Sequence, residues 1–261
     1  MSFLRLLGVF LKIGALHELE YRVNFYIQLL RSGIALASGL TGLSIIYSHT
    51  ETLGGWRQPE LLALLGVYFL GGGIIGMLIQ PSMQKLMEDV RQGTLDFTLT
   101  KPEDSQVLVS VRQVAVWKVV DLLLGGVIIA IALAQLERSV GPAAGLAFVV
   151  ALLAGAAILY AFWLMLATTV FWFVKIDNVL VIFQSMYSAG RWPVGIYPAW
   201  LRTTLTFLVP VAFATTVPAE ALAGRITPQT LFGAVGLALA LNAAARLLWR
   251  YGVRHYAGAS A

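Results

Sequence analysis

Apolar residues run in long blocks along this chain, and the polar positions fall between them. Residues 27–47, 61–79, 114–134 and 230–248 each come close to the roughly 20 apolar residues that a helix needs to cross a bilayer. The block 143–173 is longer, which predicts tilt or an interfacial extension. Lys175, Asp177 and Asn178 break the pattern before 179–189 opens a fifth apolar segment, so the reading is six spans. Ahead of the first, Phe3, Leu4, Leu6, Leu7, Phe10, Leu11 and Ile13 recur at helical spacing with Arg5 and Lys12 among them. That predicts a helix lying in the membrane interface within residues 1–26. Lys12, Glu18, Glu20 and Arg22 interrupt the stretch too often for a cleavable signal peptide.

Two stretches depart from the block pattern. Residues 80–113 are the most polar part of the chain and carry Lys85, Glu88, Asp89, Arg91, Asp96, Lys101, Glu103, Asp104 and Arg112. They read as a short amphipathic helix, a break at Gly93, an apolar alternation over 94–100, and Lys101-Pro102 leading into another helix. Leu86, Met87, Leu95, Phe97 and Leu99 need cover, which makes this loop a candidate docking element for a cytoplasmic partner. Residues 190–228 hold Pro193, Pro198, Pro210, Pro218 and Pro228, which forbid one straight helix. Yet Leu201, Leu205, Phe207, Leu208 and Phe213 are too apolar for a free loop in water. Short helices folded back into the outer leaflet satisfy both constraints. The alternative, a span over 201–217 kinked at Pro210, reverses the side of everything after it.

Composition fixes the class. Of 261 residues, 59% are hydrophobic and 12% charged, against about 25% charged in soluble domains, and the mean hydropathy is +0.81. The chain is therefore read as an all-α integral membrane protein, one transmembrane domain over 1–261, without room for a separate soluble catalytic domain. The net charge of +5 is dispersed, which points to anionic lipid rather than nucleic acid. With the N-terminus inside, Arg5, Lys12, Arg22, Arg31, Lys85, Arg91, Lys101, Arg112, Lys118, Lys175, Arg246, Arg250 and Arg254 fall on the cytoplasmic side. Arg57, Arg138, Arg191, Arg202 and Arg225 remain outside, the asymmetry that the positive-inside rule expects. Both termini and the 80–113 loop are then cytoplasmic, and 190–228 is external.

Catalytic chemistry is scarce. The sequence has no G-x-x-x-x-G-K-[ST], no H-E-x-x-H and no G-x-S-x-G. His17, His49 and His255 sit in separate segments, which argues against a histidine metal site. Ser188 has no histidine in any expected span to activate it. Lys118 and Asp121 lie three apart on one helix face and read as a local ion pair with a snorkelling lysine, a polar pathway being the alternative. Gly72 with Gly76, and Ser38 with Gly42, have the spacing of close helix packing. No residue is assigned to catalysis, metal or substrate. A membrane-embedded enzyme of lipid or isoprenoid chemistry would need clustered acids for Mg²⁺, and Glu88, Asp89 and Asp96 are the candidates. A carrier that needs no ATP is a third class.

The run from Glu88 to Pro102, Glu-Asp-Val-Arg-Gln-Gly-Thr-Leu-Asp-Phe-Thr-Leu-Thr-Lys-Pro, resembles the acidic–Arg–Gly–Leu–Asp–Leu–Lys/Arg–Pro loop of ABC-2 type exporter permeases. The closest likeness is to the bacterial subfamily with paired permeases and a separate ATPase. Trp192-Pro193-Val194-Gly195-Ile196-Tyr197-Pro198-Ala199-Trp200-Leu201-Arg202, then Val209-Pro210 and Val217-Pro218-Ala219, resemble that subfamily's segment before the last span. The likeness implies a bacterial inner-membrane permease with six spans that exports its substrate. It also implies a second permease, identical or paralogous, and two copies of a cytoplasmic ATPase that holds the ATP and Mg²⁺, with no cofactor in this chain. The 80–113 loop would then be a coupling helix. Lys85, Glu88, Asp89 and Arg91 would make polar contacts with the ATPase, Gly93 and Pro102 would set the loop's shape, and Asp96 and Lys101 complete the expected coupling set.

Overall fold

The computed structural model describes residues 22–136, 141–173 and 177–256, together with Gly8. The expected interfacial helix lies outside the described residues apart from its last turn. So do 137–140 of the turn after the third span, Lys175, and 257–261 of the tail. Among the described residues the chain is helical and holds no β-strand, beyond a bridge between Leu53 and Trp56.

The order is α1 (Arg22–Tyr47), α2 (Gln58–Ile74), a π-turn (Ile75–Ile79), α3 (Gln80–Arg91), α4 (Asp96–Leu99), α5 (Ser105–Ser110) and α6 (Val119–Gln135). Then come α7 (Pro142–Thr168), α8 (Asp177–Ala189), α9 (Ala199–Thr203) with a π-turn (Thr204–Leu208), α10 (Val211–Ala214), α11 (Thr216–Leu222) and α12 (Pro228–Arg254). Among the described residues, five helices are long and apolar enough to cross a membrane: Val23–Tyr47, Gln58–Arg91, Val116–Gln135, Pro142–Phe171 and Pro228–Arg254. A sixth arises only if the pair Ala199–Leu208 and Val211–Leu222, bent by 70°, counts as one span.

Three local expectations change. The second span does not stop at Ile79 but runs on as one helix of 34 residues to Arg91. Residues 94–100 do not alternate as an extended segment; Asp96–Leu99 is a helical turn. The fifth apolar segment is a helix of 13 residues, about 20 Å at ~1.5 Å per residue, short of a hydrocarbon core. It ends at Gly190, where a Cβ would lie 2.5 Å from the Val211 side chain.

Pro81 explains how the long second helix is held. Proline has no N–H, so the carbonyl four residues earlier, on Met77, loses its usual helical donor. The Ala115 amide supplies one at 2.9 Å. One turn on, Ser82 Oγ donates to the Gln113 carbonyl at 2.8 Å. The two ends of the 80–113 loop are thereby stitched together.

The segment between α8 and α12 begins and ends at one place. Ile196 packs on Gly54, and Arg225 donates to the Gly55 carbonyl at 2.7 Å while pairing with Glu60. Its guanidinium also lies 5.1 Å from the centre of the Trp56 ring. Between these anchors, α10 and α11 pack against α7 and α2.

The most extensive helix pairs are α2 with α6 and α7 with α12. The first is a backbone contact: a Cβ on Gly66 would stand 2.9 Å from the Gly125 carbonyl, and one on Gly125 2.7 Å from the Gly66 carbonyl and the Leu70 amide. Without a hydrophobic driving force between helices in lipid, such close approach supplies the packing. Gly125→Ala is expected to destabilise the protein by about 1–3 kcal/mol through overpacking. Gly126→Ala, with nothing within 4 Å, should be neutral or slightly stabilising. Thermal unfolding of the two variants in one detergent checks the contrast.

Candidate functional site

The 80–113 loop is built around one buried carboxylate. Asp89 is 1% exposed. It forms an ion pair with Arg112, a second with Lys85 at 3.3 Å, and accepts from Thr94 Oγ1 at 3.1 Å. The same guanidinium donates to Thr98 Oγ1 at 2.8 Å, so it ties α3 to α4. α3 ends as a Schellman motif. Gly93 takes φ +67°, Thr94 N–H bonds the Asp89 carbonyl at 2.9 Å, and Gly93 N–H bonds the Val90 carbonyl at 3.2 Å.

Other residues tie the loop to the helix bundle. Asp104 caps α5 by accepting from the amides of Gln106 and Val107, and it pairs with Arg246 of α12. Arg246 also donates to Gln106 Oε1 at 2.9 Å. Trp249 Nε1 reaches Ser105 Oγ at 3.2 Å. Gln106 and Ser110 both bond the Tyr160 hydroxyl of α7, at 3.1 and 2.7 Å.

The expected coupling residues therefore separate. Asp89 faces inward and offers no charge to a partner, because Arg112 and Lys85 already neutralise it. Glu88 stays accessible and takes hydrogen bonds from Lys85 and Gln92. Arg91, Lys101 and Pro102 are exposed, Asp96 is half-buried at the start of α4, and Gly93 makes the turn. Of the five apolar residues needing cover, Leu86, Met87 and Leu95 are buried inside the chain and Leu99 is partly buried. Phe97 alone projects, 73% exposed. Glu88, Asp89 and Asp96 do not form a metal cage: among the described residues no three His, Cys, Asp or Glu side chains converge.

A second polar cluster lies between spans. Asp121, 8% exposed on α6, pairs with Lys118 at 3.1 Å and accepts from Ser32 Oγ and from Gln28 Nε2 at 3.2 Å, both on α1. It lines a cavity of about 610 Å³.

A model of ABC-2 family transporter proteins matches residues 34–260. The chain belongs to the ABC-2 transporter family. No curated protein and no solved structure gives a significant match. As an ABC-2 permease it is a transport component and not itself catalytic, from a family that works with a cytoplasmic ATPase.

Three features of this permease are not among those expected from its sequence: Asp104 as a cap, Arg112 as the partner of Asp89, and the link from Gln28 and Ser32 to Asp121. The first was legible, since Asp104 directly precedes a helical run. Gln28 and Ser32 are four apart on one face, but nothing local says which helix they meet.

Arg112→Gln should loosen the loop by on the order of 2 kcal/mol, below the cost for a fully buried pair because the arginine side chain is 30% exposed. Hydrogen exchange across 92–104 reads this out. The Asp104 carboxyl is held below the usual aspartate range, first by the hydrogen bond from Arg246. A lowered folded value means that the clamp is fully present above the unfolded value and is lost as pH falls through the folded one. Protection of the Gln106 and Val107 amides should therefore persist at neutral pH and fail only below the ordinary aspartate range.

Proposed function

We propose that this permease forms half of the pathway of an ATP-driven exporter in a bacterial inner membrane. It pairs with a second permease, identical or paralogous, and two ATPase subunits carrying ATP and Mg²⁺ dock on the cytoplasmic side. The observation that carries this reading is Phe97, a bare aromatic side chain at the tip of a loop whose other apolar residues are covered. Buried aromatic anchors dominate protein interfaces, and this one stands among exposed Arg91, Gln92, Thr100, Lys101 and Pro102. Glu88, Arg91 and Lys101 would supply the polar rim, while Lys85 and Asp89 hold the shape beneath.

Coupling then follows from the bonds of the loop. A push on α4 passes through Arg112 to α3 and through α5 to Tyr160 and Arg246, so α7 and α12 move with it. The 199–222 segment is read as re-entrant on the external side, because both its ends meet the 48–57 loop. With α8 and the turn after it crossing back to that side, both termini are cytoplasmic.

Two experiments test this. Phe97→Ala should leave membrane insertion intact and weaken ATPase association by roughly thirtyfold, the worth of an interface hot spot of about 2 kcal/mol. ATPase recovered with the variant at wild-type yield would remove the docking site. The chain has no cysteine, so single cysteines report sidedness directly. Thr52→Cys should react with an impermeant maleimide in intact cells, and Thr100→Cys only after permeabilisation.

A further inference from the structure

The cavity beside Asp121 lies between α1, α2 with the π-turn and the start of α3, the start of α6, and α7 with α8. Its walls divide by chemistry. Tyr68, Phe69, Ile75, Trp163 and Phe183 make one side apolar, while Gln80, Gln84 and Gln184 present amides. Three charged side chains line it: Asp121, Lys118 and Arg31. Asp121 is already committed to Lys118, Ser32 and Gln28.

Arg31 is different. It is exposed, and it forms no ion pair with any described residue. It stands nine residues past Arg22 on α1, about 14 Å along the axis at ~1.5 Å per residue. Its neighbours Leu30 and Ile34 are exposed and apolar. A guanidinium in the first turns of a span, with no ion-pair partner among the described residues, is costly to hold against lipid, and such groups mark binding sites or pathways. The cavity holds two cations against one carboxylate whose lone pairs are taken, so its field favours an anion and repels a cation. Its volume lies within the range of about 300–1,000 Å³ for pockets that enclose a small ligand, enough for a head group and the first stretch of a chain.

We propose that this cavity binds the anionic, phosphate-type head of an amphiphile entering from the leaflet on the loop side. Arg31 grips the phosphoryl oxygens in its planar fork. Lys118 adds a second positive charge, the glutamine amides donate to the remaining oxygens, and the aromatic wall receives the chain. The inference deepens the transport reading by giving the chemistry of the cargo, and it rests on that reading for the transport step. Binding itself needs no ATPase.

The test uses the full chain in phosphatidylcholine nanodiscs, titrated calorimetrically with dodecyl phosphate, dodecyltrimethylammonium and inorganic phosphate. Dodecyl phosphate should bind saturably, and Arg31→Gln should weaken it roughly tenfold, the worth of one charge-assisted hydrogen bond. Arg31→Lys should restore part of the loss, and Asp121→Asn should tighten binding. Wild-type affinity in Arg31→Gln, or equal affinity for the ammonium amphiphile, overturns the proposal. Inorganic phosphate binding as tightly as dodecyl phosphate makes the site one for a free anion and overturns the amphiphile assignment. Recovery of the ATPase with Arg31→Gln at wild-type yield keeps the two readings separable: it supports a defect confined to the cavity, whereas loss of the ATPase together with ligand binding overturns that assignment.

Discussion

A single carboxylate organises the face of this permease that leaves the membrane. Asp89 is buried, and a buried carboxylate is tolerable only when its charge and lone pairs are met. Meeting them draws Arg112, Lys85 and Thr94 together from three parts of the loop. The guanidinium that answers Asp89 also fixes Thr98, so the turn carrying Phe97 is set by the same requirement. The Asp104–Arg246 pair, on the neighbouring helix, then anchors this unit to the last span. Rigidity of the loop is thus electrostatic at its centre and hydrogen-bonded at its edges, with apolar packing from Leu86, Met87 and Leu95 beneath.

The bundle is unevenly held. α2, α6, α7 and α12 pack closely, with glycine allowing α2 and α6 to touch through their backbones. α1 makes sparse contacts by comparison, and its outward face is apolar. Asp121 helps to pin it through Gln28 and Ser32, as Arg191 does through Ser38, and polar groups of this kind act as glue between helices in lipid. The cavity lies where the loosely attached helix meets the close-packed ones.

Much of this architecture was legible in the sequence, because a bilayer imposes length and hydropathy on each span whatever the tertiary structure. Three of the five long helices coincide with their apolar blocks to within a few residues, and the second and the last overrun theirs. That continuation to Arg91 was hidden by polar residues after Ile79, which mark the end of the hydrocarbon region and not the end of the helix. The helical turn at 96–99 was masked by a period-two pattern over too few residues to decide between forms. The burial of Asp89, expected among the partner contacts, was hidden for another reason. Spacing shows which charges share a helix face, but the partner that buries this one, Arg112, is 23 positions away. Phe97 and Leu95 look alike in sequence, and only the packing of the loop distinguishes the covered one from the bare one.

The bond from the Ala115 amide to the Met77 carbonyl bears on how the chain is made. Pro81 removes the usual helical donor to that carbonyl near the membrane boundary. Until residue 115 has emerged from the ribosome, the second span lacks that hydrogen bond. The third span brings the missing donor. Insertion of the two is therefore thermodynamically linked, so they settle as a hairpin, and a nascent chain cut before Ala115 would hold its second span less firmly than the hydropathy of that span alone implies.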